Sequence, residues 1–401
     1  MVATGTVVTL VVAGVASLFM AWAIGAGSSG STPFAPAVGA NAISVMRAGF
    51  VVGLLGLGGA FLQGANVTEA VGTELLVGAP LTPTAAIVGL LTAAVLVAVG
   101  VFAGYPIATA FTVTGAVVGA GLALGRAPAW AKYQEIATLW LLVPFVGGGV
   151  AFATAKLLRD ERVPEPVAVP LLGGLVGLVL ANVEFVLLGP SGGALGIAAA
   201  ITRALVGGTV TPRTLFAGKA AVTLLLGGAI AAALRWDLTN DPAAGQRHFL
   251  LALGGLVAFS AGGSQVGLAL GPLLPLLGPE TVAVPLPALL LAGGLGLLAG
   301  SWTGAPRMIK ALSQDYSSLG PRRSIAALIP SFLIAQSAVF FGVPVSFNEI
   351  IVSAIIGSGY AAGGAGVSRK KMGYTVLAWV GSLALAFAVA YGGFLAVSAV
   401  L

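Results

Sequence analysis

The chain has 401 residues, 58% hydrophobic and only 7% charged, with a formal net charge of +6. A soluble domain carries about a quarter charged residues, so this composition excludes a water-facing globular surface and suits one that faces lipid. The absence of cysteine excludes disulfides and thiolate metal sites, and the positive charge is spread over loops as in membrane topology, not gathered as in a nucleic-acid-binding surface.

The first apolar run, 7–24, has no charged residue ahead of it, and Arg47 is the first charge in the chain. A secretory signal peptide has a charged segment before its apolar core, so 7–24 reads as a retained helix. Further runs follow at 45–63, 83–124, 136–155, 167–202, 216–234, 249–278, 283–302, 324–342, 350–366 and 373–399. A spanning helix needs ~20 mainly apolar residues. The charge-free stretches from Glu74 to Arg126, from Glu280 to Arg307 and after Lys371 are each long enough. The stretch from Lys219 to Arg235 suffices if its flanking charges snorkel. The pattern predicts an all-α integral membrane protein of the cell membrane with about 10–12 crossings, some of them half-helices. The 60 glycines suit close helix approach. His248, beside Arg247 at the start of an apolar run, reads as a solvated interfacial residue.

Several runs are interrupted by Gly and Pro. Irregular backbone at membrane depth is tolerated only where protein or a water-filled cavity satisfies it. Breaks are predicted near 25–36, 104–111, 260–272 and 342–349. The first holds Gly25-Ala26-Gly27-Ser28-Ser29-Gly30-Ser31-Thr32-Pro33, and the third holds Ser260-Ala261-Gly262-Gly263-Ser264-Gln265-Val266-Gly267. They are related by a repeat. Phe34-Ala35-Pro36 matches Leu270-Gly271-Pro272, Gly104-Tyr105-Pro106 matches Gly342-Val343-Pro344, and Gly64-Ala65 matches Gly304-Ala305, all at a nearly constant offset along the chain. The expected organisation is a first half at 1–158, a linking transmembrane segment at 159–246 and a second half at 247–401. A repeat with Gly/Pro-broken helices at matching positions points to a secondary transporter with inverted halves and a site between them. Basic clusters occur in both halves, so the positive-inside rule assigns no orientation.

These landmarks resemble the inorganic phosphate transporter (PiT) family. That family repeats the signature Gly-Ala-Asn-Asp-Val-Ala-Asn-Ala once per half, followed later by Gly-Leu-Pro-Val-Ser-Thr-Thr-His and a small-residue helix. The second element is similar to Gly104 to Thr109 and to Gly342 to Ser346, and the stretches Gly59 to Glu69 and Leu319 to Arg323 also resemble the family. The resemblance covers most of the chain apart from roughly 160–245. It implies the fold, a phosphate substrate, Na⁺ or H⁺ coupling and a homodimer. The signature itself departs from the pattern. Asn-Asp becomes Ser28-Ser29 in the first half and Ser264-Gln265 in the second, and the second Asn becomes Thr32 and Leu268. The Thr-Thr-His tails become Ala110-Phe111 and Asn348-Glu349.

An oxyanion needs donors converging from several sides, and hydroxyls, amides and half-helix N-termini supply them. Ser28, Ser29, Thr32, Thr109, Ser264, Gln265, Ser346 and Asn348 are all donors at breaks and form the candidate substrate site. Glu349 and Glu184 are the acids inside long apolar runs. A carboxylate at depth marks function by default, so Glu349, directly after the fourth break, is the candidate for carrying a proton or a cation. Glu184, outside the family landmarks, reads as a bundle or interfacial residue. Hydrogen phosphate brings an O–H that a carboxylate reads well, whereas sulfate brings only acceptors, so the missing acids leave sulfate or another oxyanion open as substrate. They also leave open a non-transporting membrane sensor or scaffold. No nucleophile–base pair, metal-ligand spacing or Gly-Lys-Ser/Thr phosphate loop occurs, so neither an enzyme nor a cofactor is expected.

Overall fold

In lipid a chain must satisfy its own backbone hydrogen bonds, and the apolar runs do so as helices. The computed structural model describes residues 4–78, 80–189, 193–207, 211–277, 282–316, 318–364 and 367–400. Glu280 and the end of the 350–366 run lie outside the described residues. The first half forms α1 (Thr4–Ile24), α2 (Ala35–Gly39), α3 (Val45–Gln63), α4 (Ala65–Thr73), α5 (Pro83–Ala103), α6 (Thr109–Ala123) and α7 (Trp130–Leu157). The middle forms α8 (Glu165–Leu180), α9 (Ile197–Val206) and α10 (Pro212–Asn240). The second half forms α11 (Pro242–Leu270), α12 (Leu286–Thr303), α13 (Ala305–Gln314), α14 (Pro321–Phe341), α15 (Phe347–Tyr360) and α16 (Arg369–Ser398). Among the described residues nine helices are long and apolar enough to cross a membrane, and α6, α8 and α9 are shorter apolar helices. Side chains such as Leu141, Phe145 and Leu225 are about 70% exposed, an apolar surface that water would not tolerate on this scale. The chain is a multi-pass membrane protein.

The repeat seen in the sequence recurs in the helices. The starts of α3, α4, α5, α6 and α7 step to those of α12, α13, α14, α15 and α16 at a nearly constant spacing, Val45 to Leu286, Ala65 to Ala305, Pro83 to Pro321, Thr109 to Phe347 and Trp130 to Arg369. Packing follows the same exchange. Helix α1 lies against α5 and α12, and α11 lies against α14 and α3; α6 lies against α16, and α15 against α7. The ion pairs repeat as well, with Lys132 bonded to Glu74 at 2.8 Å and Lys371 to Asp315 at 2.5 Å, each pinning the start of a long helix. Two short antiparallel pairs complete the loops, β1 (Leu76–Val77) with β2 (Ala127–Pro128) and β3 (Glu184–Phe185) with β4 (Leu195–Gly196). His248 is exposed and its Nδ1 meets Asp237 Oδ2 at 2.8 Å, as an interfacial residue should.

Three of the four expected breaks are breaks. At the first, α1 widens into a π-turn over Gly25–Ser29 and then a tight turn before α2. At the second and fourth, α5 and α14 stop at Gly104 and Gly342, both left-handed with φ of 73° and 65°. Such a conformation costs glycine little. In both turns the amide two residues past the helix bonds back into it, Tyr105 N to Gly100 O and Val343 N to Ala338 O, each at 3.0 Å. The third expected break is corrected. Helix α11 runs unbroken from Ser260 to Leu270, and only Gly271–Leu276 tightens to 3₁₀ geometry. Its glycines serve close packing instead. A Cβ on Gly262 would lie 1.9 Å from Gly56 O, and one on Gly267 would lie 2.6 Å from Thr68 N. Gly262→Val is therefore expected to force α11 away from α3, at a cost above the ~1–3 kcal/mol of ordinary overpacking. Size-exclusion profiles and thermal melts in detergent would register the loss. Gly14→Val, where a Cβ meets nothing within 4 Å, serves as the neutral control.

Candidate functional site

The two halves meet at a sealed polar cluster. Ser28 comes from the π-turn after α1, Thr109 is the first residue of α6, and Gln265 lies on α11. All three are buried. Thr109 Oγ1 and Ser28 Oγ donate to Gln265 Oε1 at 2.8 and 3.2 Å, and the two hydroxyls lie 3.5 Å apart. Gln265 Nε2 donates to Val345 O at 2.6 Å, in the break before α15. A carbonyl can only accept, so this bond fixes which end of the amide carries oxygen. Asn348 is fixed in the same way, its Nδ2 donating to Gly27 O at 2.9 Å and Ile107 O at 2.6 Å. One asparagine thus ties the fourth break to the first and second.

Other members of the expected set are placed differently. Thr32 Oγ1 and Ser31 Oγ donate back to Ser28 O, holding the turn that presents Ser28. Ser29 is buried but makes no side-chain hydrogen bond among the described residues. Ser264 Oγ, Ser346 Oγ and Asn348 Oδ1 are buried without a partner. Each such atom costs about 1–3 kcal/mol while it stays unpaired.

Glu349 belongs to a different surface. It is the third residue of α15, 1% exposed, and its Oε2 has no partner. It lines a cavity of about 830 Å³ between α7, α15 and α16, walled mainly by apolar residues that include the rings of Phe111, Trp140, Phe145 and Trp379. In the register that aligns Gly342 with Gly104, its counterpart in the first half is Phe111, which stacks on Trp140. An acid therefore occupies only one of two matching positions. Glu184 is exposed on β3 and its backbone oxygen accepts from Gln63 Nε2 at 2.9 Å.

The sequence reading missed two groups. Trp140 of α7 donates its indole N–H to Pro344 O at 3.0 Å, and Trp379 of α16 donates to Pro106 O at 2.8 Å. Each half thereby holds the break of the other. The signal was present as two tryptophans, Trp140 and Trp379, that follow the matched prolines Pro106 and Pro344 at nearly the repeat spacing. The second group is Gln63, Ser260 and Gln336. Gln336 Nε2 donates to Ser260 Oγ at 2.6 Å and to Gln63 Oε1 at 3.2 Å, a buried polar link between α3, α11 and α14.

Membrane-spanning helices, with short helices starting at breaks beside a buried polar cluster, have the architecture of a membrane permease. The sequence profile of the phosphate transporter family matches residues 24–390. The chain belongs to that family. A Thermococcus kodakarensis protein that bears the name phosphate permease is 26% identical over 385 residues, covering 90% of each chain. A Pyrococcus horikoshii protein of the same name is 27% identical over 386 residues, again covering 90% of each. A chloroplast inorganic phosphate transporter of Arabidopsis thaliana is 24% identical over 427 residues, covering 90% of this chain and 68% of that one. Among solved structures, a sodium-dependent phosphate transporter shares the fold with a TM-score of 0.80 at 21% identity, covering 98% of this chain and all of the other.

Proposed function

We propose that the chain carries inorganic phosphate across the membrane through the Ser28–Thr109–Gln265 cluster, with Ser264, Ser346 and Asn348 completing the site. One observation carries this reading: two buried hydroxyls from the first half converge on one amide oxygen from the second. When a phosphate enters, those hydroxyls turn from Gln265 Oε1 to the anion's oxygens, and the amide oxygen is freed. It then accepts from the phosphate O–H. Sulfate has no proton to offer there and would leave a buried acceptor unpaired, the kind of mismatch that binding sites reject strongly. A neutral acceptor thus does the work that the missing signature acids would otherwise do. The N-termini of α6 and α15 open toward the same breaks and add partial positive charge.

Cation coupling in this reading is weak in Na⁺ and runs through Glu349 for protons. Ser346 Oγ and Asn348 Oδ1 are neutral oxygens without a partner. Such atoms can ligate a hard cation, but without the Coulomb attraction of a carboxylate. The halves 1–158 and 247–401 are taken as inverted repeats linked by 159–246, and the chain as one that pairs with a second copy.

The test is uptake of labelled phosphate and sulfate into proteoliposomes, with and without Na⁺ and proton gradients. Phosphate should accumulate in preference to sulfate, with a shallow dependence on Na⁺. Ser29→Asp combined with Gln265→Asp should steepen that dependence. Steep Na⁺ dependence in the native chain, unchanged by the two substitutions, would show that coupling resides elsewhere. No uptake of either anion under any gradient would favour a sensor or scaffold.

A further inference from the structure

A second polar space lies between helices that pack against α11. A cavity of about 570 Å³ opens between α3, α8, α10 and α14, lined by Gln63, Asn182, Lys219, Thr223, Gln336 and further polar and apolar residues. Lys219 and Glu184 both line it, and among the described residues neither forms an ion pair. Gln63 and Gln336 line it, and Gln336 links Gln63 to Ser260 of α11 by hydrogen bonds. Ser260 and Ser264 are four positions apart on α11, so they share a face one turn apart. Gly263 lets Gln63 press close at this level, since a Cβ there would lie 2.8 Å from Gln63 Cβ. One turn along α11 from Ser260 is the unpartnered hydroxyl of Ser264, and one position beyond is Gln265. Polar side chains therefore lead from the cavity onto α11 and along it toward Gln265.

The matching region of the other half is closed by different chemistry. In the register that aligns Gly342 with Gly104, Gln336 corresponds to Ala98, and Val339, which lines the cavity, corresponds to Val101. Val101 packs with Ala26 and Met308 in a separate buried apolar group. Amides can exchange partners with a passing anion or water, whereas an apolar plug offers neither donor nor acceptor.

We propose that this cavity is the vestibule by which the oxyanion reaches the cluster, and that Gln63, Gln336 and Ser260 form the polar gate that closes it. The proposal rests on the Ser28–Thr109–Gln265 cluster being the anion site. Gln336 is central, because its one amide group holds both partners. Removing it deletes both hydrogen bonds, which should raise the open fraction roughly tenfold or more.

Because the chain contains no cysteine, the gate can be read by thiol labelling of full-length protein in nanodiscs. The probe is 2-sulfonatoethyl methanethiosulfonate, a small anionic reagent. Thr223→Cys, in the vestibule, should react readily. Ser264→Cys, behind the gate, should react slowly and speed up roughly tenfold or more when Gln336→Ala is added. Val101→Ala, in the apolar plug, should leave the Ser264→Cys rate unchanged. An unchanged Thr223→Cys rate and a monodisperse elution profile in the Gln336→Ala background would exclude general unfolding. Ser264→Cys labelling that is fast from the outset, indifferent to Gln336→Ala, or accelerated by Val101→Ala instead, would overturn the proposal. The readout is chemical and needs no uptake, so a failed gate leaves phosphate transport standing. A failure of phosphate uptake would likewise leave the labelling result readable.

Discussion

Gln265→Leu is expected to lower phosphate uptake, as turnover divided by KM, by two to three orders of magnitude. Leucine keeps most of the volume but removes the acceptor for Ser28 and Thr109 and the donor to Val345 O. Three buried polar groups lose a partner at once, and each costs about 1–3 kcal/mol. Even partial relief by water leaves roughly 3–4 kcal/mol, and about 1.4 kcal/mol is a factor of ten. The loss should appear in both KM and turnover, because the same amide also positions the break before α15. Gln265→Glu is the informative companion. It preserves an acceptor for the two hydroxyls but faces Val345 O with a second oxygen, so it should retain phosphate recognition only when protonated. Its uptake should fall as pH rises. Uptake by the leucine variant within about threefold of the native chain, on folded protein of equal yield, would remove Gln265 from the transport path.

The second large effect is expected at Glu349. If this carboxylate carries the coupled proton, Glu349→Gln resembles the protonated state permanently. Uptake by the native chain should rise with an inward proton gradient, and uptake by the variant should be flat across the same gradient. Anion affinity should change little, because the side chain faces the lateral cavity and makes no hydrogen bond with the cluster. Asp at this position should restore the proton response, whereas Gln should not, which separates charge from packing. A proton response that survives Glu349→Gln would assign coupling to another group.

Much of this architecture is readable in the residues. The match between Gly104 and Gly342 predicts where α6 and α15 begin, because a left-handed glycine after an apolar run ends a helix for steric reasons that depend on no distant partner. The cluster was legible in part. Ser28, Thr109, Gln265 and Asn348 stand out as polar residues at the expected breaks; the first three bond one another, and Asn348 bonds the backbone of Gly27 and Ile107. Ser260 to Gly267 was misread as a break because glycine serves two ends, freeing the backbone and admitting a neighbour. Only the facing helix, with Gly56 O against Gly262, separates them. Gln63 and Gln336 escaped notice because their partners are far away along the chain and their own surroundings in sequence are ordinary. Trp140 and Trp379 were hidden for a similar reason, since a tryptophan in an apolar run is common at membrane interfaces.

The crossed packing of the halves has a consequence for how the chain is made. Helix α6 rests against α16, and most of the chain lies between them. A ribosome adding roughly 5–20 residues per second needs about 12 to 50 seconds to cover that distance. During that interval α6, with the Pro106 turn that Trp379 later holds, sits in the bilayer without its partner helix. The first half can insert early but cannot mature alone. A nascent chain stalled before Arg369 should remain sensitive to membrane proteases at the turn preceding α6, and the arrival of α16 is what ends that vulnerability.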